Sequence, residues 1–143
     1  MEIRIGVKLS KEEVLNLLAY FDDSSDIPLH EGLNFNTYSE KLSQNAYFVL
    51  AIENDKQLGF IAYYLNEEKR YLYIPQIVVH KLGRHKGIGH LMLSELFTLY
   101  KKKFLEIRLE VLTINNNARK FYQREGFREL QFNKQRILLA KEL

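Results

Sequence analysis

At 143 residues, 46% of them apolar and 27% charged, the chain has the length and composition of one globular domain, and its lack of Cys removes disulfides, thiolate zinc sites and a cysteine nucleophile. The net charge of +3 is too small and too dispersed to imply nucleic acid. No apolar run approaches the ~20 residues that cross a bilayer, and Met1-Glu2-Ile3-Arg4-Ile5 has no signal-peptide core, so one domain over residues 1–143, cytoplasmic and without nucleic-acid or membrane partners, is expected.

Glu2 to Lys8 alternates like a half-buried strand. Ser10-Lys11-Glu12-Glu13 has capping-box spacing and opens a helix to about Phe21. Asp22-Asp23-Ser24-Ser25-Asp26, followed by Pro28 and Gly32, makes residues 22–35 a loop. Its carboxylates either draw a cationic ligand or are simply solvated, and His30 is a candidate ligand contact there. A short helix follows over Thr37 to Leu42. Strands Ala46 to Glu53 and Gln57 to Leu65 flank the tight turn Asn54-Asp55-Lys56. A second turn, Asn66 to Lys69, leads to the strand Tyr71 to Val79 and completes an antiparallel meander.

A helix from Gly87 ends at Lys101-Lys102-Lys103, whose charge complements the helix dipole. Phe104 to Leu112 then alternates, with Leu105, Ile107, Leu109 and Val111 on one face and Glu106, Arg108, Glu110 and Leu112 on the other. A helix over Asn116 to Arg124 is stopped by Gly126, and Phe127 to Phe132 with Gln135 to Ala140 form a hairpin. The order β-α-α-β-β-β-α-β-α-β-β describes an α+β domain with a mostly antiparallel sheet. The strand-helix-strand unit over residues 71–112 should be a right-handed crossover with parallel strands.

Arg84-His85-Lys86-Gly87-Ile88-Gly89 joins an apolar strand to a helix. That arrangement aims backbone N–H groups and a helix N-terminus at one point, where phosphate binds well. The glycines permit positive φ and close ligand approach, and Arg84 and Lys86 add positive charge. A Rossmann fingerprint is incomplete, because the third glycine and the acidic ribose contact are missing. The Walker pattern is absent.

The spacing of Arg84, Gly87 and Gly89 fits Gln/Arg-x-x-Gly-x-Gly/Ala. Further on, Asn115-Asn116-Asn117-Ala118-Arg119-Lys120-Phe121-Tyr122-Gln123-Arg124-Glu125-Gly126-Phe127 fits Asn-x-x-Ala-x-x-x-Tyr-x-x-x-Gly-Phe. With both in order, each after a strand, the chain resembles the GNAT superfamily of acetyl-CoA-dependent N-acetyltransferases over roughly residues 45 to 132. The resemblance implies a three-layer fold, a mixed sheet with a central splayed parallel pair and helices on both faces. It implies that Ile77, Val78 and Val79 offer backbone groups to the pantetheine arm of acetyl-CoA. Arg84, His85, Lys86, Gly87, Ile88, Gly89 and His90 would cradle the pyrophosphate, and Asn115 and Ala118 would lie along the arm. Two positions depart from the family: His85 stands where Gly is common, and Lys81 where Pro is usual.

The resemblance makes Tyr122 the general acid for the departing thiolate, with an aromatic at the core edge as the alternative. Leu109-Glu110-Val111-Leu112-Thr113-Ile114-Asn115 is similar to the Leu-Glu-Val-x-x-x-Asn of ribosomal-protein alanine N-acetyltransferases, which makes Glu110 the candidate base. The alternative is a strand glutamate paired with Arg108 or Lys120. The demand for a base depends on the acceptor: at pH 7 a lysine amine is neutral in about one molecule in a few thousand, an α-amine in about a tenth, a gap of roughly 3 kcal/mol. A backbone N–H near Val79 would stabilise the oxyanion.

His80 and His85 lack a third ligand at suitable spacing, so no metal is expected. Tyr63, Tyr64, Tyr71 and Tyr73 include candidates for the acceptor cleft, and packing is the default role for Tyr71 and Tyr73. The expected activity is direct acetyl transfer to a small-molecule or peptide amine by a monomer or homodimer. The alternatives are a non-catalytic acyl-CoA-binding regulatory domain of the same fold and an RNA-associated module resting on the lysine run.

Overall fold

The computed structural model describes residues 1–25 and 27–143, so Asp26 of the acidic run lies outside the described residues. The elements are β1 (Glu2–Val7), α1 (Lys11–Phe21), α2 (Leu29–Gly32), α3 (Phe35–Asn45), β2 (Tyr47–Glu53), β3 (Lys56–Asn66), β4 (Tyr71–Val79), α4 (Ile88–Tyr100), β5 (Glu106–Leu112), α5 (Asn116–Arg124), β6 (Arg128–Asn133) and β7 (Arg136–Glu142). The strands hydrogen-bond in the order β1-β2-β3-β4-β5-β7-β6. This is a mixed seven-stranded sheet in which β4 and β5 run parallel. By its contacts the chain divides into two compact units, residues 1–63 with 76–96 and residues 64–75 with 97–143.

The first unit is organised by local signals. Ser10 Oγ accepts from Glu13 N–H at 3.1 Å and Glu13 Oε1 accepts from Ser10 N–H at 2.9 Å, so the capping box is complete. The helix it opens buries Val14, Leu17, Leu18 and Phe21, an i, i+3, i+4, i+7 stripe. Asn54 and Asp55 take φ of 51° and 63°, the left-handed pair that a two-residue hairpin loop with the right twist requires. At Gly59 in β3, an added Cβ would lie 2.9 Å from Met92 and 3.1 Å from Ile88, so α4 packs directly on this strand. Phe21, Phe48 and Phe60 form an aromatic cluster, with Phe60 at 5.1 Å from Phe21 and 6.4 Å from Phe48, centroid to centroid.

In the second unit β5 pairs antiparallel with β7, which pairs antiparallel with β6. Ile107, Leu109 and Val111 of β5 and Ile137 and Leu139 of β7 are buried. The Gly126 stop holds, at φ +94°. Lys141 donates to the carbonyl of Glu125 at 2.7 Å, and its Nζ sits 4.0 Å from the centre of the Phe97 ring.

Four expectations are corrected. Residues 22–35 are not one loop: Asp22–Ser24 form a 3-10 turn and Leu29–Gly32 a short helix. Both are tied by longer-range contacts that local pattern does not carry: Asp22 receives the His30 N–H at 2.8 Å. The helix expected over Thr37 to Leu42 runs from Phe35 to Asn45, because Asn34 caps it through Thr37 N–H at 3.1 Å. The helix expected to reach Lys103 ends at Tyr100, and Lys101–Lys103 form a turn after it. Leu105 is 57% exposed, because it sits in a bend just ahead of β5 and not in the strand itself.

Candidate active site

The parallel ladder registers Tyr71–Ile74 of β4 with Glu106–Leu109 of β5, while β4 continues to Val79. Ile77, Val78 and Val79 therefore lie past the registered segment, with Val78 buried and its two neighbours half-buried. The chain then turns. His80 N–H donates to the Leu58 carbonyl at 2.8 Å, and His80 Nδ1 accepts from Leu82 N–H at 3.1 Å. Its ring is buried and stacks on Tyr20 at 4.9 Å. His80 is thus a cap for the 3-10 turn Lys81–Gly83.

Arg84 is extended, His85 takes φ +65° and Gly87 φ +74°, and α4 begins at Ile88. Leu91 N–H bonds the Gly87 carbonyl at 3.0 Å, so the intrahelical ladder starts after the amides of Ile88 and Gly89. Residues Arg84, His85, Lys86 and Gly87 are exposed, and so is His90, which lies 3.5 Å from Ser94 Oγ. A Cβ built on Gly87 would meet nothing within 4 Å, so the glycine is needed for its dihedral and not for space. At Gly83 the reason is space, because a Cβ there would lie 2.7 Å from Ile88 Cδ1. His85, where the resembling family commonly has Gly, accepts the left-handed conformation despite its Cβ, one that His adopts more readily than most side chains.

One support of this turn was not legible in the sequence. Arg84 Nη2 donates to the Ser24 carbonyl, and Lys81 N–H donates to Ser24 Oγ at 3.3 Å. Lys81 Nζ bonds Asp23 Oδ2 at 2.6 Å. That hydrogen bond, reinforced by the lysine charge, holds the Asp23 carboxyl below the usual range. Asp22 is held low as well, by His30 through its backbone N–H and its ring Nδ1 at 2.7 Å. The described carboxylates of the acidic run thus already have cationic or N–H partners, and the Arg84 guanidinium is engaged by a carbonyl.

In the second unit, Glu110 is exposed and its Oε1 accepts from the Tyr73 hydroxyl at 3.0 Å. Burial, then the bond to Glu110, pushes the Tyr73 phenol up to about 12. Arg108, one anticipated partner of Glu110, bonds Glu106 and lies 4.4 Å over the Tyr71 ring instead. Tyr63 is fully buried and stacks with Tyr47 at 5.9 Å, and burial raises the Tyr64 phenol.

Asn115 caps α5, its Oδ1 accepting from Ala118 N–H at 3.1 Å. The two residues carried over for the cofactor arm are therefore bonded to each other. Tyr122 is 6% exposed, with its ring edge-on to Phe121 at 5.1 Å and Phe127 at 5.4 Å. Burial raises its phenol well above the ordinary tyrosine value. Among the described residues no three His, Asp or Glu side chains cluster to hold a metal, and no helix is long and apolar enough to cross a membrane.

The family model described as the acetyltransferase (GNAT) family matches residues 14–127. No curated protein sequence matches the chain. Among solved structures, PaiA N-acetyltransferase from Thermoplasma acidophilum, in complex with coenzyme A, is similar over 100% of both chains with 23% identity and a TM-score of 0.78. A ribosomal-protein alanine N-acetyltransferase from Escherichia coli is similar over 99% of this chain and 94% of its own, with 18% identity and a TM-score of 0.76. A GNAT family acetyltransferase from Elizabethkingia anophelis with acetyl-CoA bound is similar over 99% of this chain and 97% of its own, with 18% identity and a TM-score of 0.70. At these identities the structural likeness speaks for the fold.

Proposed function

The chain belongs to the acetyltransferase (GNAT) family, and on that premise we propose that it transfers acetyl from acetyl-CoA directly to a primary amine, both substrates being bound at once. The carrying observation is the turn after β4, where left-handed His85 and Gly87 lead into the N-terminus of α4. Its residues are exposed and the space over Gly87 is open, which suits a pyrophosphate lying against the backbone. The matched span, residues 14–127, draws on both compact units and supports reading residues 1–143 as one catalytic domain.

Acetyl-CoA supplies the thioester carbonyl. Ile77–Val79 bind its pantetheine arm through backbone groups, Arg84–His90 hold the pyrophosphate, and Asn115 and Ala118 border the arm. Glu110 removes a proton from the acceptor's ammonium form. The amine nitrogen then bonds the acetyl carbon and sheds its second proton to solvent, the carbon–sulfur bond breaks, and Tyr122 gives its proton to the departing thiolate and is reprotonated from solvent. Burial favours the neutral phenol, the state in which an acid must begin its cycle. With no Cys in the chain, an acetyl-cysteine route has no nucleophile.

Calorimetric titration with acetyl-CoA, followed by thiol release in the presence of a peptide α-amine, a polyamine and an aminosugar, tests this reading. Binding with amine-dependent release is expected. Binding without turnover on any amine would favour an acyl-CoA-binding regulatory domain, and no binding at all would end both readings.

A further inference from the structure

Resting on the reading of Glu110 as the base, we infer that Tyr73 is its positioning residue: the phenol reaches across the parallel pair to hold one carboxylate oxygen and leaves the other for the amine. In the ladder Tyr73 registers with Arg108, so Glu110 is the next residue on the same face of β5. The reach is therefore diagonal, a span that suits a long aromatic side chain. The hydroxyl ends 3.0 Å from Glu110 Oε1. A glutamate on an exposed strand face otherwise samples several rotamers, and a base that wanders loses most of its effective molarity. Tyr73 is half-buried, so its ring is held by the fold while the Glu110 side chain it steadies stands in solvent.

The surroundings keep this contact simple. Arg108 is drawn to Glu106 and the Tyr71 ring, and Arg119 to Glu129 at 2.8 Å and the Thr113 carbonyl at 3.0 Å. Two of the nearest guanidinium groups in the sequence are thus committed elsewhere. Arg136 contributes a positive field at Tyr73, which opposes but does not outweigh burial and the Glu110 contact. The phenol therefore stays a neutral donor across the working pH range, where an anion would repel the carboxylate. A carboxyl with one oxygen fixed presents its second lone pair in a repeatable direction, which proton transfer in a short encounter needs.

The test is a double-mutant cycle on the full chain with Tyr73→Phe, Glu110→Gln and the pair, using acetyl-CoA and an amine that the wild type turns over. Tyr73→Phe is expected to lower kcat about tenfold to a hundredfold. The KM for acetyl-CoA and the calorimetric affinity for it should stay unchanged, and the loss should vanish on the Glu110→Gln background. A purely structural tyrosine would cost the same factor in both backgrounds, and that result, or a Tyr73→Phe enzyme as fast as wild type, would overturn the inference. An acceptor-independent arm follows the Tyr73 phenol by carbon-13 NMR of labelled tyrosine. In Glu110→Gln its titration should move to lower pH, and no movement would show that the contact is absent in solution. If the wild type binds acetyl-CoA but acetylates no amine, the acetyltransferase reading fails and takes this one with it. If the wild type turns over and only the coupling is missing, the inference alone is lost.

Discussion

The turn from His80 to His90 and the β5–α5 segment from Glu110 to Tyr122 are built on opposite principles. In the turn the groups proposed to bind are main-chain amides, and the side chains mostly brace it: His80 caps the 3-10 turn while Arg84 and Lys81 reach Ser24 and Asp23. In the β5–α5 segment the backbone is ordinary strand and helix, and the candidate chemistry sits in two side-chain tips. A site made of amides tolerates a changed side chain and fails when a dihedral is forbidden. A site made of tips behaves the other way round, so isosteric substitutions there should leave the fold intact and remove the chemistry.

The sharpest way to break the contrast is Tyr122→Phe. The ring contacts to Phe121 and Phe127 remain, so acetyl-CoA affinity and melting temperature should hold while kcat falls about a hundredfold or more. Steady-state kinetics beside calorimetry would show whether the two quantities separate. Next comes Gly87→Val, which places a β-branched residue at φ +74°. A cost of about 1–2 kcal/mol for the left-handed conformation predicts roughly five- to thirtyfold weaker acetyl-CoA binding, with kcat at saturation much less affected. Asn115→Ala should cost about 1 kcal/mol of stability by removing the α5 cap, read from urea unfolding, with Asn115→Asp restoring most of it.

The most gradual effect is an alkaline one. The Tyr73 phenol is raised in the fold to about 12, whereas the unfolded chain ionises its tyrosines near ~10. Below about pH 10 both states hold the proton and nothing changes. As pH rises from there towards 12, the unfolded state sheds protons that the fold retains, so stability falls. Tyr122, raised further by burial, adds a loss of the same sign. Melting temperatures measured between pH 9 and 11 should be flat at first and then decline, and Tyr73→Phe should soften the decline.

What the sequence disclosed follows the range of the interactions. Ser10 and Glu13, Asn54 and Asp55, and Gly126 act on neighbours within a few residues, and their effects could be read without a fold. The register of Tyr71–Ile74 on Glu106–Leu109 cannot be read that way. The Tyr73–Glu110 contact, which needs that register, therefore stayed hidden behind a default of packing. Ser24 was hidden for the same reason, since its partners Arg84 and Lys81 lie far along the chain. The parallel β4–β5 pair was foreseen from the crossover, whereas the insertion of β7 between β5 and β6 was not, because a hairpin's pattern does not say which of its strands faces the sheet.

The ammonium of Lys141 has one further implication. It is lodged against the Phe97 ring, plugs the last turn of α5 and lies so near Gly126 that a Cβ there would sit 3.2 Å from it. Leu143 N–H, two residues on, is bonded to the Leu105 carbonyl at 2.9 Å. Lys141 is also half-buried while Lys101–Lys103 are exposed, so amine-reactive dyes should mark Lys101–Lys103 first and Lys141 more slowly.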